Sequence, residues 1–216
     1  MKYKAVIFDL DGVICHTDHF HYLAWKKIAN QLNIPFDETT NDRLRGVSRA
    51  ESLNIILAGS NRCWTEEEKA SLAEVKNNIY QQYLRQLAPC DLSEEVLQTL
   101  RALRSQGVRL AVGSSSKNTG LIVSQLGIGE FFDAVADGTE ITHSKPDPEV
   151  FLLAAKKLNV RNDEALVIED SEAGIKAAKA GGFYAVGFGE SAKHIPADSH
   201  IRHFRELLEF LACETA

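Results

Sequence analysis

Ala5-Val6-Ile7-Phe8-Asp9-Leu10-Asp11-Gly12-Val13 is an apolar run that ends on two carboxylates and a glycine. A run with no polar alternation is typical of a strand covered on both faces, as in parallel sheets flanked by helices. The strand is expected over 5–10, and similar short runs recur at 108–112, 134–136, 165–168 and 184–186. Between them, 118–126, 148–158 and 172–181 carry helical spacing, with Gly127 and Gly181 as C-terminal stops. Strands alternating with helices predict an α/β fold whose core is a Rossmann-like, doubly wound parallel sheet.

One segment breaks the alternation. From about Cys15 to Pro89 the pattern is helical, with Phe20, Leu23, Ala24, Ile28 and Leu32 on one face. Ser48 to Glu51 and Thr65 to Glu68 both have capping-box form, and a long helix is expected from Thr65 to about Leu87. The expected organisation is a catalytic core of residues 1–14 and 90–216, with a small all-helical cap domain, residues 15–89, inserted after the first strand. An insert at the C-terminal edge of a parallel sheet is suited to serve as a lid.

The bulk numbers permit this architecture. The chain has 216 residues, 44% hydrophobic and 25% charged, which is ordinary for a globular protein. A formal charge of -6 disfavours nucleic acid as a partner, because phosphate backbones reward an excess of Lys and Arg. Cys15, Cys63, Cys90 and Cys213 are scattered, so neither a zinc site nor a disulfide framework is expected. No uninterrupted apolar segment has the length of a signal core or a membrane span, so a cytoplasmic protein without membrane contact is expected.

Four elements carry chemistry. Asp9 and Asp11 close the first strand, where two carboxylates are costly unless a cation or substrate compensates them. Ser114-Ser115-Ser116-Lys117-Asn118 follows the second strand with hydroxyls and amides leading into a helix N-terminus, a ready anion site. In Ser144-Lys145-Pro146-Asp147-Pro148, the proline restrains the lysine to extended backbone and can aim its ammonium. Glu169-Asp170-Ser171 ends the fourth strand with adjacent acids that suit a hard cation such as Mg²⁺. Singly these are a turn, a helix cap, a surface lysine and another cap. Together, at one edge of one sheet, they supply a nucleophile, an acid/base, phosphate donors, a compensating cation and a metal site, the set that phosphoryl transfer requires.

In order and spacing these elements resemble the four motifs of the haloacid dehalogenase superfamily over essentially the whole chain. The resemblance implies Asp9 as nucleophile and Asp11 as general acid/base. It implies Ser114, Ser115 and Lys145 as phosphate ligands, and Mg²⁺ held by Asp9, Glu169, Asp170 and the backbone carbonyl of Asp11. The second acid, Asp11, separates the chain from the dehalogenase branch. Within the superfamily the insert is similar to that of the β-phosphoglucomutase family. Thr17, His21, Trp25, Arg45, Gly46, Val47, Ser48, Arg49, Ser52 and Lys76 match its sugar-phosphate-binding residues, as do Ser116, Lys117 and Asn118 on the core. That family implies Arg49 on the distal phosphate and His21 with Lys76 coupling lid closure to Asp11. Two departures stand out: His16 replaces an acid in the linker, and Arg45 replaces a lysine.

The resemblance implies an isomerase that moves a phosphoryl group between the ends of β-glucose 1-phosphate and glucose 6-phosphate. It would act through a phosphoaspartate and a sugar bisphosphate, with sugar phosphates as partners and a monomeric chain. Two alternatives stand beside it: a phosphatase of the same fold, and a phosphate-binding protein without turnover. A nicotinamide oxidoreductase is disfavoured, since no G-x-G-x-x-G follows the first strand.

Overall fold

The computed structural model describes residues 2–44 and 47–213. The chain forms two compact units, one of Met1–His16 with Leu87–Ala216 and the other of Thr17–Gln86.

The first unit is built on a parallel sheet of six strands among the described residues, in the order β3-β2-β1-β4-β5-β6. They are β1 (Ala5–Phe8), β2 (Arg109–Gly113), β3 (Ala134–Ala136), β4 (Ala165–Glu169), β5 (Tyr184–Phe188) and β6 (Ser199–Ile201). β1 and β4 are buried along their whole length, as the unbroken apolar runs require. Odd and even residues of β1 face opposite layers. Ala5 and Ile7 join Phe151 and Ala154 of α7 (Glu149–Leu158) and Ile175 and Ala178 of α8 (Glu172–Ala180). Phe8 turns the other way, stacked at 5.4 Å on Phe204 and edge-on to Phe132. The sheet is therefore covered on both sides.

Strand order reverses at β1, whose neighbours are β2 on one side and β4 on the other. Chain segments leaving the C-terminal ends of two such strands diverge, and the crevice between them is where open α/β sheets bind ligands. Phe8 is in register with both Val112 and Ile168, so Asp9 is level with Gly113 and Glu169.

The sequence pattern predicts five strands, and the structure adds β6. Ser199-His200-Ile201 has no apolar run to announce it; it is an edge strand held by pairing with β5. Two helices of this unit are also additional to those expected, α5 (Glu94–Ser105) and α9 (Glu206–Cys213).

The second unit contains α1 (Asp18–Gln31), α2 (Glu38–Asp42), α3 (Arg49–Leu57) and α4 (Glu66–Leu84), with no strand among its described residues. Its core gathers Trp25, Ile28 and Ala29 of α1, Leu53, Ile56 and Leu57 of α3, and Ile34 and Leu44. α4 opens with the complete capping box at Thr65 and Glu68. At α3 Ser48 accepts from the Glu51 amide. Among the described residues no helix is long and apolar enough to cross a membrane.

Candidate active site

Asp9 is the first residue beyond β1, and its amide donates to Ile168 O at 3.0 Å, which continues the sheet pairing by one step. The chain then turns sharply: Gly12 N donates to Cys15 O, and Ile14 and Cys15 both donate to Leu10 O. Gly12 has φ +93, a conformation side chains rarely adopt, and a Cβ there would overlap the Asp170 carboxylate. The glycine of the Asp-x-Asp-Gly motif is thus required twice, for the turn and for the approach of an acid from β4's end. Asp11 is half-buried in this turn.

Lys145 crosses to this edge from a loop 136 residues away in sequence. Its ammonium lies 2.5 Å from Asp9 Oδ1 and 2.8 Å from Glu169 Oε1, with all three side chains under 10% exposed. The loop carrying it is tied to the serine segment, since Lys145 N donates to Ser115 Oγ and Gly138 N to Ser116 O. Glu169 is further fixed through Oε2, which accepts from the amide and hydroxyl of Ser171. A Cβ at Gly174 would overlap the Glu169 side chain, which explains the glycine in the first turn of α8.

One carboxylate oxygen from each of Asp9, Glu169 and Asp170 lies within 4.8 Å of the others. Burial pushes the Asp9 carboxyl well above its ordinary range; Lys145 pulls it down, while Glu169 and Asp170 raise it again. Burial opposes the Lys145 charge, but Asp9 and Glu169 outweigh it and hold the ammonium above its ordinary value. Three converging acids beside one ammonium form a hard oxygen donor set with excess negative charge, which fits a small divalent cation.

After β2, Ser114 is buried and its amide donates to Ala136 O at 3.1 Å. Its Oγ accepts from Ser116 N, and Ser116 Oγ accepts from Asn118 N, so each hydroxyl shapes the next turn. Asn118 is buried directly before α6 (Thr119–Gln125), Ser115 and Ser116 are half-buried, and Lys117 is exposed.

In the helical unit a second set assembles. Lys76 of α4 is 2% exposed, and its ammonium meets Nδ1 of His21 on α1 at 2.8 Å. It also lies 4.7 Å from the ring centroids of both Trp25 and Tyr80. Burial, then Lys76 and Arg49, hold the His21 imidazole well below its ordinary value, so it is neutral. Ser52 is buried on α3, and Arg49 at that helix's start is half-buried, its guanidinium lowered by burial although Tyr80 opposes this. Thr17 is fully buried and shares a 2.9 Å hydrogen bond with the Tyr80 hydroxyl. Val47 is exposed and Ser48 caps α3; Arg45 and Gly46 lie outside the described residues. Tyr80 is a residue the sequence reading missed. Its signal was its place one turn after Lys76, on the same helix face.

The family model for haloacid dehalogenase-like hydrolases matches residues 3–182. A β-phosphoglucomutase of Bacillus subtilis is 44% identical over 211 residues, 96% of this chain and 93% of that protein. A phosphorylated carbohydrates phosphatase of Thermotoga maritima is 30% identical over 83% of this chain and 82% of its own length. Among solved structures, a β-phosphoglucomutase from Clostridium difficile superposes with a TM-score of 0.91 at 35% identity, over 98% of this chain and 96% of that one. By motif order, sheet topology and these matches, the chain belongs to the haloacid dehalogenase-like hydrolase family.

Proposed function

We propose that this chain is an isomerase interconverting β-D-glucose 1-phosphate and glucose 6-phosphate, with the phosphoryl group carried in transit by Asp9. The observation that carries the reading is the 44% match to a β-phosphoglucomutase across 96% of the chain, helical unit included. Phosphatases and mutases of this fold share the nucleophile, so the helical unit must make the difference. Here that unit holds a buried lysine, a half-buried arginine and a neutral imidazole, chemistry suited to an anionic sugar.

In the first half-reaction Asp11 takes the proton of the sugar 6-hydroxyl, whose oxygen attacks the phosphorus on Asp9. The new P–O6 bond forms as the aspartyl P–O bond breaks, giving the 1,6-bisphosphate. After the intermediate is reversed, Asp9 attacks the 1-phosphate, and Asp11 returns the proton to the departing O1. Lys145 orients the Asp9 carboxylate and balances the charge of the group in flight, while Ser114 and its neighbours offer donors to phosphoryl oxygens. Asp9, Glu169, Asp170 and the Asp11 carbonyl are the residues to hold Mg²⁺, which when bound neutralises phosphoryl oxygens. Arg49, with the fork geometry that suits phosphate, takes the phosphate not being transferred.

The test is an assay of glucose 6-phosphate formation from β-glucose 1-phosphate, with released phosphate scored in parallel. Isomerisation with a lag removed by a trace of glucose 1,6-bisphosphate is the expected result, because the bisphosphate primes Asp9. Rapid phosphate release from many sugar phosphates, without bisphosphate stimulation, would establish a phosphatase instead.

A further inference from the structure

Tyr80 lies at the centre of the polar cluster in the helical unit, although no step of the reaction uses it. It is 1% exposed, and its ring packs on the His21 imidazole with centroids 4.0 Å apart and planes 33° from parallel. The Lys76 ammonium sits over the same ring at 4.7 Å while reaching His21 Nδ1 at 2.8 Å. The Tyr80 hydroxyl closes the set through its 2.9 Å bond with Thr17, directly before α1.

An ammonium offers three donors and no acceptor, so Nδ1 of His21 must be the accepting nitrogen. The neutral ring then carries its proton on Nε2. The outer torsion of a histidine is broad, so a single hydrogen bond does not define the plane of the ring. A flat surface against one face does define it, and Tyr80 is such a surface. The same ring steadies the buried ammonium electrostatically.

We propose that Tyr80 is the positioning residue of the His21–Lys76 pair. Its ring sets the plane of His21 and the place of the Lys76 ammonium, and through that ammonium the tautomer of His21. The result is one aimed donor, the His21 Nε2–H. This role rests on the isomerase reading above for its substrate, but its effect on His21 does not.

The experiment compares Tyr80→Phe, which keeps the ring, with Tyr80→Met and Tyr80→Leu, which remove it. Ring ¹⁵N spectra of His21 in the full chain report its tautomer. Kinetics give kcat and KM for β-glucose 1-phosphate, with hydrolysis of p-nitrophenyl phosphate as the reference for the first unit. The wild type and Tyr80→Phe should both show the Nε2–H tautomer and isomerise within about threefold of each other. The ring-less variants should show mixed tautomers and lose about tenfold or more in kcat/KM, with p-nitrophenyl phosphate hydrolysis unchanged. A ring-less variant that keeps the tautomer or the kcat/KM, or a Tyr80→Phe variant as impaired as Tyr80→Met, overturns the proposal. A wild-type His21 with its proton on Nδ1 overturns it without any variant, even if no ring-less protein folds. If the wild type shows the expected tautomer but no isomerisation, the isomerase reading fails while the hold of Tyr80 on His21 is still decided by the spectra.

Discussion

Replacing Lys145 by Met probes the charge balance on which the first unit's site depends. Methionine preserves most of the side-chain volume and its packing on Phe151, whose ring lies 4.6 Å from the ammonium. It removes the ammonium that joins Asp9 to Glu169, at 2.5 and 2.8 Å. Taking charge centres about 4 Å apart and an effective dielectric of about 20, each attraction is worth about 4 kcal/mol, or about 8 together. Part of that is offset because the lysine no longer has to be desolvated, and breaking buried pairs in this way costs about 3–5 kcal/mol net. The same figure is expected here, measured by urea unfolding in EDTA at about pH 8.

The pH dependence has a definite sign. The Asp9 carboxyl is already raised by burial, and without the ammonium it rises further. A group whose folded value exceeds its unfolded one favours the folded state when protonated. The deficit of the variant should therefore be largest above the folded value and shrink as pH falls through it. Mg²⁺ should restore part of the loss by binding the folded state. A deficit under about 1 kcal/mol in EDTA at pH 8, where breaking a buried pair should cost several times more, would refute this account of the site. So would a deficit that grows on acidification.

Asp9→Asn should leave the fold intact and remove nearly all turnover; activity within about tenfold of wild type would exclude a covalent role. Gly12→Ala must fit a Cβ against Asp170 at φ +93, so it should cost about 1–2 kcal/mol in backbone strain and raise the Mg²⁺ concentration needed for half-maximal activity. An unchanged metal requirement in that variant would place Asp170 outside the metal site. Arg49→Ala should impair isomerisation by about 10²-fold or more while p-nitrophenyl phosphate hydrolysis stays within about threefold, since only isomerisation needs the second phosphate held. Equal losses in both assays would assign Arg49 a structural role.

Much of this molecule is legible in one dimension because its signals are contiguous. The runs 5–8 and 165–168 are apolar without alternation, and only burial on both faces makes such strands stable. The acids that close them are conspicuous for the same reason. Thr65 with Glu68 announces α4, since a capping box spans one helical turn. What escaped the reading was either weakly patterned or unweighted. β6 is three residues at an edge, stabilised by backbone pairing that any side chain permits. α5 places Val96, Leu100 and Leu103 on one buried face, a spacing that was there to be read.

The partnerships are another matter. Sequence alone marked Lys145, Asp9 and Glu169 as chemistry-bearing, but only the sheet register brings residues 136 and 24 positions apart within reach of one ammonium. Lys76 could have been a solvated helix lysine; α1 packing on α4 turns it into a buried donor to a histidine 55 residues away. Tyr80 had only its place one turn after Lys76 to mark it until Thr17 and His21 folded against it. The physical reason is the same in each case. Apolar periodicity is a local property that propagates along the chain. The pairing of a buried charge depends on the strand ends and helix faces that folding brings together, and no spacing rule encodes that.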